Sequence, residues 1–542
     1  MPPLRIDLRL SDERHSVAVP GAEASLPLTE VLARRGFPLN TRCGGRGLCG
    51  GCEVELSAGS LSRAADGARV DAGAARLKAC QVRLRGESVG LDVPAGSLLR
   101  HQPSVVSEFR LNIPWARDPL APAARYGAAV DVGTTTVALL LCDLATGAVA
   151  GEASAFNAQI RFGEDVVTRI QRCGVDSDAL RQLQRAVAEE TITPLLGEAC
   201  RQSGVSPGEV GVMVVAGNTT MLHLLAGVDP TSMGVFPFRP SFLGHRVYAP
   251  ADVGLAFGGP AARMHLLPGP AAYVGADLAA GMVATGMIYE EGPVLLIDVG
   301  TNGEIIAKAG SRLVGCATAA GPAFEGAGLT SGMRAVSGAI EHIRLRTEPF
   351  GAELSLIGAA SRPLGICGSA YVDFLMEARR AGILQANGRL ENAFCSRAGD
   401  AVQVDAQGRK LLLHAHGASG PIWISELDIA QLLQAKAAIA AGTETLLHVL
   451  GVAACDVKRV YLAGGFGFHL SLEHAIGCGL LPGFDAGQIQ VVGNTSLGGA
   501  FLALNDQRLV GEMVGACASM EVIELNLQPG FEDAFIDQLA LP

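Results

Sequence analysis

The chain has no uncharged apolar run of the about 18 residues that a membrane helix needs. Gly, Asp and Arg break every candidate, although hydrophobic residues make up 49% of the sequence. The N-terminal stretch Met1 to Leu10 alternates apolar and charged residues and lacks the apolar core of a signal peptide, so a cytoplasmic protein with no membrane partner is expected. Positive charge is not in excess: the formal net charge is −11, which leaves no electrostatic case for nucleic acid or an anionic lipid surface. Aromatics are scarce at 5%, while Gly is abundant at 69 residues. That balance disfavours an aromatic-lined binding protein and favours tightly packed α/β layers with many turns. The 11 histidines show no HExxH or comparable metal spacing; His469 and His474 fall nearest a candidate site, with a surface or capping role preferred.

Most of the 13 cysteines also lack paired spacing. Cys142, Cys173, Cys200, Cys316, Cys367, Cys395, Cys455, Cys478 and Cys517 are expected to be small buried hydrophobes in a reducing compartment. The remaining four are different. Cys43, Cys49 and Cys52 lie in a glycine-rich loop and Cys80 follows, giving C-x5-C-x2-C…x27…C. Four thiolates in this arrangement suit a [2Fe-2S] cluster. Gly44, Gly45, Gly47, Gly50 and Gly51 let the backbone wrap sulfur and aim N–H groups at it. Zinc is the alternative, but zinc knots usually use two CxxC pairs and this stretch has one. Arg42 and Arg46 flank the first ligand, as a docking site for an acidic donor or as solvated surface.

Around that loop, residues 4–10 and 15–19 alternate as a hairpin. Thr29 to Gly36 reads as a short helix with Thr29 as N-cap and Gly36 as its end, and Glu53 to Leu56 as a strand. Strand, strand, helix, cysteine loop, strand is a β-grasp ferredoxin order, expected over 1–95. The segment resembles [2Fe-2S] ferredoxins, with a spacing similar to the adrenodoxin type and unlike the plant-type x4. Residues 96–126 carry Pro103, Pro114, Pro119 and Pro122 without a sustained period and read as a linker, with a short strand at Phe109 to Ile113. Such a linker either tethers a swinging domain or packs flat on a neighbour.

The length suggests roughly three to four domains. The rest of the chain holds three landmarks. Ala128-Ala129-Val130-Asp131-Val132-Gly133-Thr134-Thr135 and Leu295-Leu296-Ile297-Asp298-Val299-Gly300-Thr301-Asn302 are each an apolar strand running into Asp-Val-Gly-Thr, followed by another apolar strand. The repeat implies an internal duplication. In each, the Gly makes a tight turn whose N–H groups reach phosphate, the Thr hydroxyls donate to phosphate, and the Asp binds Mg²⁺, usually through water. Glu304 follows the second copy and is a candidate catalytic residue that orients water or magnesium. The third landmark is Val460 to Gly467, a strand entering Gly464-Gly465, where backbone lies close to a flat adenosine. Four further Gly-rich loops, at Gly217-Asn218, Gly321-Pro322, Gly368-Ser369 and Gly493-Asn494, read as readily as helix caps and turns.

These landmarks resemble the acetate kinase, actin and Hsp70 ATPase superfamily. The fold class is therefore multidomain α/β: a β-grasp ferredoxin, a linker, then duplicated ribonuclease-H-like halves. Residues 127–206 form a small middle domain or the start of the first ATPase half, and 207–542 form the ATPase domain. Either Asp131 or Asp298 opens the phosphate-1 loop.

From the cysteine loop to Gly465, the chain resembles the reductive activators of corrinoid proteins. The resemblance implies ATP-dependent one-electron reduction of Co(II) to Co(I), which restores methyl transfer. It implies Cys43, Cys49, Cys52 and Cys80 as cluster ligands. It implies Asp298, Gly300, Thr301, Asn302, Gly464 and Gly465 as MgATP contacts, with Asp131, Gly133, Thr134 and Thr135 in the other copy. Ser369 is a candidate for approaching the corrinoid. Expected partners are a corrinoid protein and an upstream low-potential donor, with homodimerisation carried by the resemblance alone. The energetics agree. A plant-type cluster sits near about −400 mV, and an acceptor ~100 mV lower makes each electron uphill by ~2.3 kcal/mol. Two other readings fit an ATPase joined to a cluster: an activator of a dehydratase-type enzyme, and an ATPase whose cluster is a redox sensor. Dehydratase activators are typically smaller, lack the ferredoxin domain and share a [4Fe-4S] cluster across a dimer, for which this chain has no second cysteine pair.

Overall fold

A computed structural model describes residues 4–10, 13–39, 41, 45, 47, 52–73, 76–85, 88–94, 97, 108–300, 302–326, 328–358, 360, 362–405, 408–418 and 420–542. Arg42, Cys43, Arg46, Cys49 and Thr301 lie outside the described residues. The chain divides into two compact units, Met1–Gln102 with Asn157–Leu183, and Pro103–Phe156 with Gln184–Pro542.

In the first unit the period-2 pattern forms a strand at Leu4–Leu10, with Leu4, Ile6, Leu8 and Leu10 buried and Arg5, Asp7 and Arg9 exposed. It pairs antiparallel with Glu13–Val19 and parallel with Val89–Asp92. The five-stranded sheet continues through Glu53–Ala58 to Leu77–Lys78. The helix spans Leu28–Ala33 and begins after Pro27, which makes no side-chain cap bond. Thr29 is therefore not the N-cap. The earlier start places Leu28, Val31 and Leu32 on one buried face, and that apolar stripe outweighs a Thr cap. In the other segment of this unit, fully buried Arg169 donates to the Gly163 carbonyl and to Gln159 Oε1, both at 2.9 Å.

The second unit contains two six-stranded sheets with one internal plan. In the first, Ala148–Phe156, Thr136–Asp143, Tyr126–Val132, Val210–Gly217 and Arg263–Leu266 lie side by side in that order. In the second, the order is Arg312–Thr318, Gly303–Ala309, Val294–Val299, Arg459–Ala463 and Ile489–Gly493. Each is three antiparallel strands followed by two parallel to the first, a 3-2-1-4-5 order. This is the ribonuclease-H-like plan, present twice. The first sheet is continuous across residue 206, because Val210–Gly217 pairs parallel with Tyr126–Val132.

After the fifth strand of each half comes a helix, Ala276–Thr285 in one and Thr495–Asn505 in the other. They cross with almost no gap. A Cβ on Gly499 would lie 2.3 Å from the Ala280 carbonyl oxygen, and one on Gly281 would lie 2.8 Å from Thr495 Oγ1. Only glycine allows that approach.

From residue 108 the proline-rich segment lies along these two helices and the neighbouring strand. Phe109 bridges Gly493, and the Arg110 N–H donates to the Val492 carbonyl at 3.1 Å. The Asn112 N–H donates to Ala284 at 3.2 Å, and the Asp118 and Leu120 N–H groups donate to Asn505 and Leu504 at 3.0 and 3.1 Å. Phe109 and Trp115 pack on Phe501 at ring distances of 5.8 and 5.7 Å. The segment is a strap laid across both halves.

Candidate functional sites

Cys52 sits immediately before the strand Glu53–Ala58, and Cys80 lies just after the partner strand Leu77–Lys78. The pairing Glu53 with Lys78, and the 2.9 Å bond from the Ala79 N–H to the Cys52 carbonyl, bring both into one buried place. A hydrogen bond with Cys52, supported by the Gln81 side chain and the Gly47 N–H, outweighs desolvation and lowers the Cys80 thiol to about 6. The loop is fastened from this strand and the turn after it: Lys78 Nζ donates to the Gly47 carbonyl and Gln81 Nε2 to the Gly45 carbonyl, both at 2.7 Å. Gly47 is at φ +73°, and a Cβ there would lie 2.8 Å from Gln81 Cδ. Adjacent buried sulfurs, one of them a thiolate near neutral pH and approached by an N–H, are the donor chemistry that an iron–sulfur cluster requires.

In the second unit both Asp-Val-Gly-Thr hairpins open on one pocket of about 250 Å³. Asp131, Gly133, Thr134 and Thr135 line it from the first hairpin, and Asp298, Gly300, Asn302 and Glu304 from the second. Gly464, Gly465 and Ser369 are in the same wall. Each turn is closed by a backbone bond from its glycine, spanning four residues in the first and three in the second. The Gly133 N–H returns to the Thr136 carbonyl and the Gly300 N–H to the Asn302 carbonyl, each at 3.0 Å. Gly464 is at φ +92°, and a Cβ there would lie 2.5 Å from the Val299 carbonyl and 2.8 Å from Asp298 Oδ1. The Gly-Gly loop is therefore folded directly onto the second hairpin. Phe324 and Phe466, with ring centres 5.2 Å apart, add a flat apolar surface to the lining.

The electrostatics are those of crowded acids. Desolvation, then Asp277, Asp131 and Glu325, push Asp298 up to about 7. Asp277, at the start of the helix Ala276–Thr285, is also raised to about 7, by desolvation and by Asp131 against the Leu278 N–H that it accepts at 2.9 Å. Glu304 is raised well above the carboxylate range by desolvation, Asp277 and Asp298. Asp131 is raised by desolvation, but Ser496 Oγ and Asn494 Nδ2 donate to it at 2.6 and 2.9 Å and oppose the shift. Such a group of acids is stabilised by a cation. Among the described residues, no three His, Cys, Asp or Glu side chains converge closely enough to hold a metal ion directly. That leaves contact through water or phosphate oxygens as the arrangement these residues suit.

Ser369 is 2% exposed, and its hydroxyl donates to the Glu341 carbonyl at 2.8 Å and lies 3.0 Å from Cys367 Sγ. His469 lines the pocket and pairs with Glu341 at 2.5 Å, whereas His474 is engaged with Asp373 at 2.6 Å outside the lining. The Gly-rich loops at Asn218 and Asn494 both reach the pocket, where Asn218 Nδ2 donates to Thr134 Oγ1 at 3.0 Å. Asp277 and Arg334 were not singled out by sequence. Asp277 lies in the first turn of the helix after the fifth strand of the first half, and Asn494 caps the corresponding helix of the second. Arg334 carries no sequence signal.

Residues 11–85 match the 2Fe-2S iron-sulfur cluster binding domain, 126–290 the RACo middle region, and 292–542 the C-terminal domain of RACo, the ASKHA domain. The chain is similar to the corrinoid activation enzyme RamQ of Eubacterium limosum, 30% identical over 425 residues, covering 76% of this chain and 69% of that one. It is also similar to the Co(II) methylated amine-specific corrinoid protein reductase of Methanosarcina barkeri, 30% identical over 244 residues, or 41% of each chain. Among solved structures, a reductive activator for corrinoid, iron-sulfur protein matches at 28% identity and a TM-score of 0.70, over 99% of this chain and 98% of that one.

Proposed function

Because this chain belongs to the family of corrinoid activation enzymes, we propose that it uses ATP to reduce the Co(II) corrinoid of a partner protein to Co(I), restoring its methyl-transfer competence. One observation carries the reading: two Asp-Val-Gly-Thr hairpins and the Gly464-Gly465 loop meet in one acidic pocket, in a chain that also pairs Cys52 with Cys80. Cys43, Cys49, Cys52 and Cys80 would hold a [2Fe-2S] cluster, which when bound supplies single-electron transfer. An upstream low-potential donor delivers each electron.

In the pocket, Gly133 and Gly300 turn backbone towards the phosphates, with Thr134, Thr135 and Asn302 as donors. Asp131, Asp298 and Glu304 face Mg²⁺ through water, and the cation relieves their mutual repulsion. Gly464 and Gly465 lie against the adenosine. Ser369 and Asp277 complete the wall. ATP contacts both halves, so its binding favours one relative arrangement of them, and that differential affinity is what can drive an uphill transfer.

The test is to follow Co(II) corrinoid protein spectroscopically with the reduced protein, with and without MgATP. Co(I) formation that depends on MgATP is expected. Equal Co(I) formation without nucleotide would sink the reading, and absence of any Co(I) would favour a redox sensor or a different acceptor.

A further inference from the structure

Five carboxylates, Asp131, Asp277, Asp298, Glu304 and Glu325, line the pocket, and among the described residues Arg334 is its one Lys or Arg. For a polyanionic ligand, the position of that cation decides how the phosphates are placed. Arg334 follows the second hairpin in sequence, yet it reaches the first. Its Nη2 lies 3.4 Å from Thr135 Oγ1, and its Nε lies 3.8 Å from Glu325 Oε2. The guanidinium is seated on the Phe156 ring, 5.2 Å from the centroid, and Phe156 ends a strand of the first half.

These polar contacts are long, and Nε is buried without a hydrogen-bond partner. A guanidinium offers five donors in a rigid fork, and leaving one buried and unpaired is costly. Here the fork is fixed by stacking and its donors are under-used. The fork matches carboxylate and phosphate alike, and in a pocket reached by both Gly turns phosphate is the incoming group of that geometry. Orientation follows from the loops. Gly464 is folded onto the second hairpin, so the adenosine end belongs there, while Arg334 and Thr135 meet at the first hairpin.

We propose that Arg334 contacts the terminal phosphate of ATP from across the cleft, so that the chain distinguishes ATP from ADP through this side chain. The inference rests on the nucleotide reading above. Arg334 already spans the two halves through Thr135 and Phe156, and the third phosphate would add a ligand to that span.

Titration calorimetry on the full chain with Mg²⁺ tests this, using ATP and ADP as the probes. The wild type is expected to bind ATP more tightly than ADP. Arg334→Gln is expected to weaken ATP binding by about ten- to a hundredfold and to leave ADP binding unchanged. Arg334→Lys, which keeps the charge and loses the fork, falls between. Equal weakening of both nucleotides, or of neither, in both variants overturns the proposal and leaves the nucleotide pocket standing. A wild-type chain that binds neither nucleotide removes the pocket reading and this proposal together.

Discussion

The two halves of the clamp share strand order and hairpin sequence, yet they treat the same aspartate differently. Asp131 accepts hydrogen bonds from Asn494 and Ser496, which belong to the other half. Asp298 receives no hydrogen bond among the described residues and is pressed by Asp277, Asp131 and Glu325. One copy has become a tie between halves; the other keeps its charge uncompensated by protein. Duplication therefore supplied two geometrically equivalent acids, and their surroundings divided the work. A satisfied acid contributes to structure, while an unsatisfied one is available to a ligand's cation.

The largest expected effect isolates this comparison from the other unit. Cys80→Ala should abolish the visible cluster spectrum completely while nucleotide binding, measured by calorimetry, survives. Full retention of the spectrum would remove Cys80 from the ligand set. Next, Asp298→Asn should reduce MgATP affinity by about 10–100-fold and raise the thermal midpoint of the nucleotide-free chain at pH 8, because it removes a charge that its neighbours repel. Asp131→Asn should shift stability in the opposite direction. It disrupts the tie to Ser496 and Asn494, so the nucleotide-free chain should lose about 1–3 kcal/mol in denaturant unfolding. If both variants shift stability in the same direction, the contrast between the halves fails.

The smallest effect is on pH. Asp277 and Asp298 sit near about 7 in the folded chain, above the ordinary 3.8. Between those values the folded state holds more protons than the unfolded, so nucleotide-free stability should fall as pH rises through that window and level off above it. MgATP favours the ionised acids, so its affinity should rise as pH passes about 7. Thermal melts across pH, with Asp298→Asn showing a shallower slope, check the sign.

Much of this was legible because it is local. The strand at Leu4–Leu10 is written in alternate residues, and both phosphate hairpins are written in short turns, four residues between Val132 and Val137 and three between Val299 and Gly303. Every described candidate from the hairpins and the Gly-Gly loop lines the same pocket. What was not legible arrives from a distance. Asp277 enters on a helix whose N-terminus only the folded sheet aims at the pocket, and Arg334 crosses to a hairpin nearly two hundred positions earlier in the chain. Thr29 carried a plausible cap signal that lost to the burial of Leu28. The pairing of Val210–Gly217 with Tyr126–Val132 is likewise a long-range parallel match that no short pattern encodes.

The strap from residue 108 has a mechanical corollary. Its backbone is fastened to Ala284 in one crossing helix and to Leu504 and Asn505 in the other, and its far end runs into the strand that carries Asp131. Between those ties the backbone holds isolated bridges and turns and has little free length. A rotation about the Gly499–Ala280 and Gly281–Thr495 contacts would have to strain those ties. Backbone amide exchange at Asn112, Asp118 and Leu120 would report such a movement.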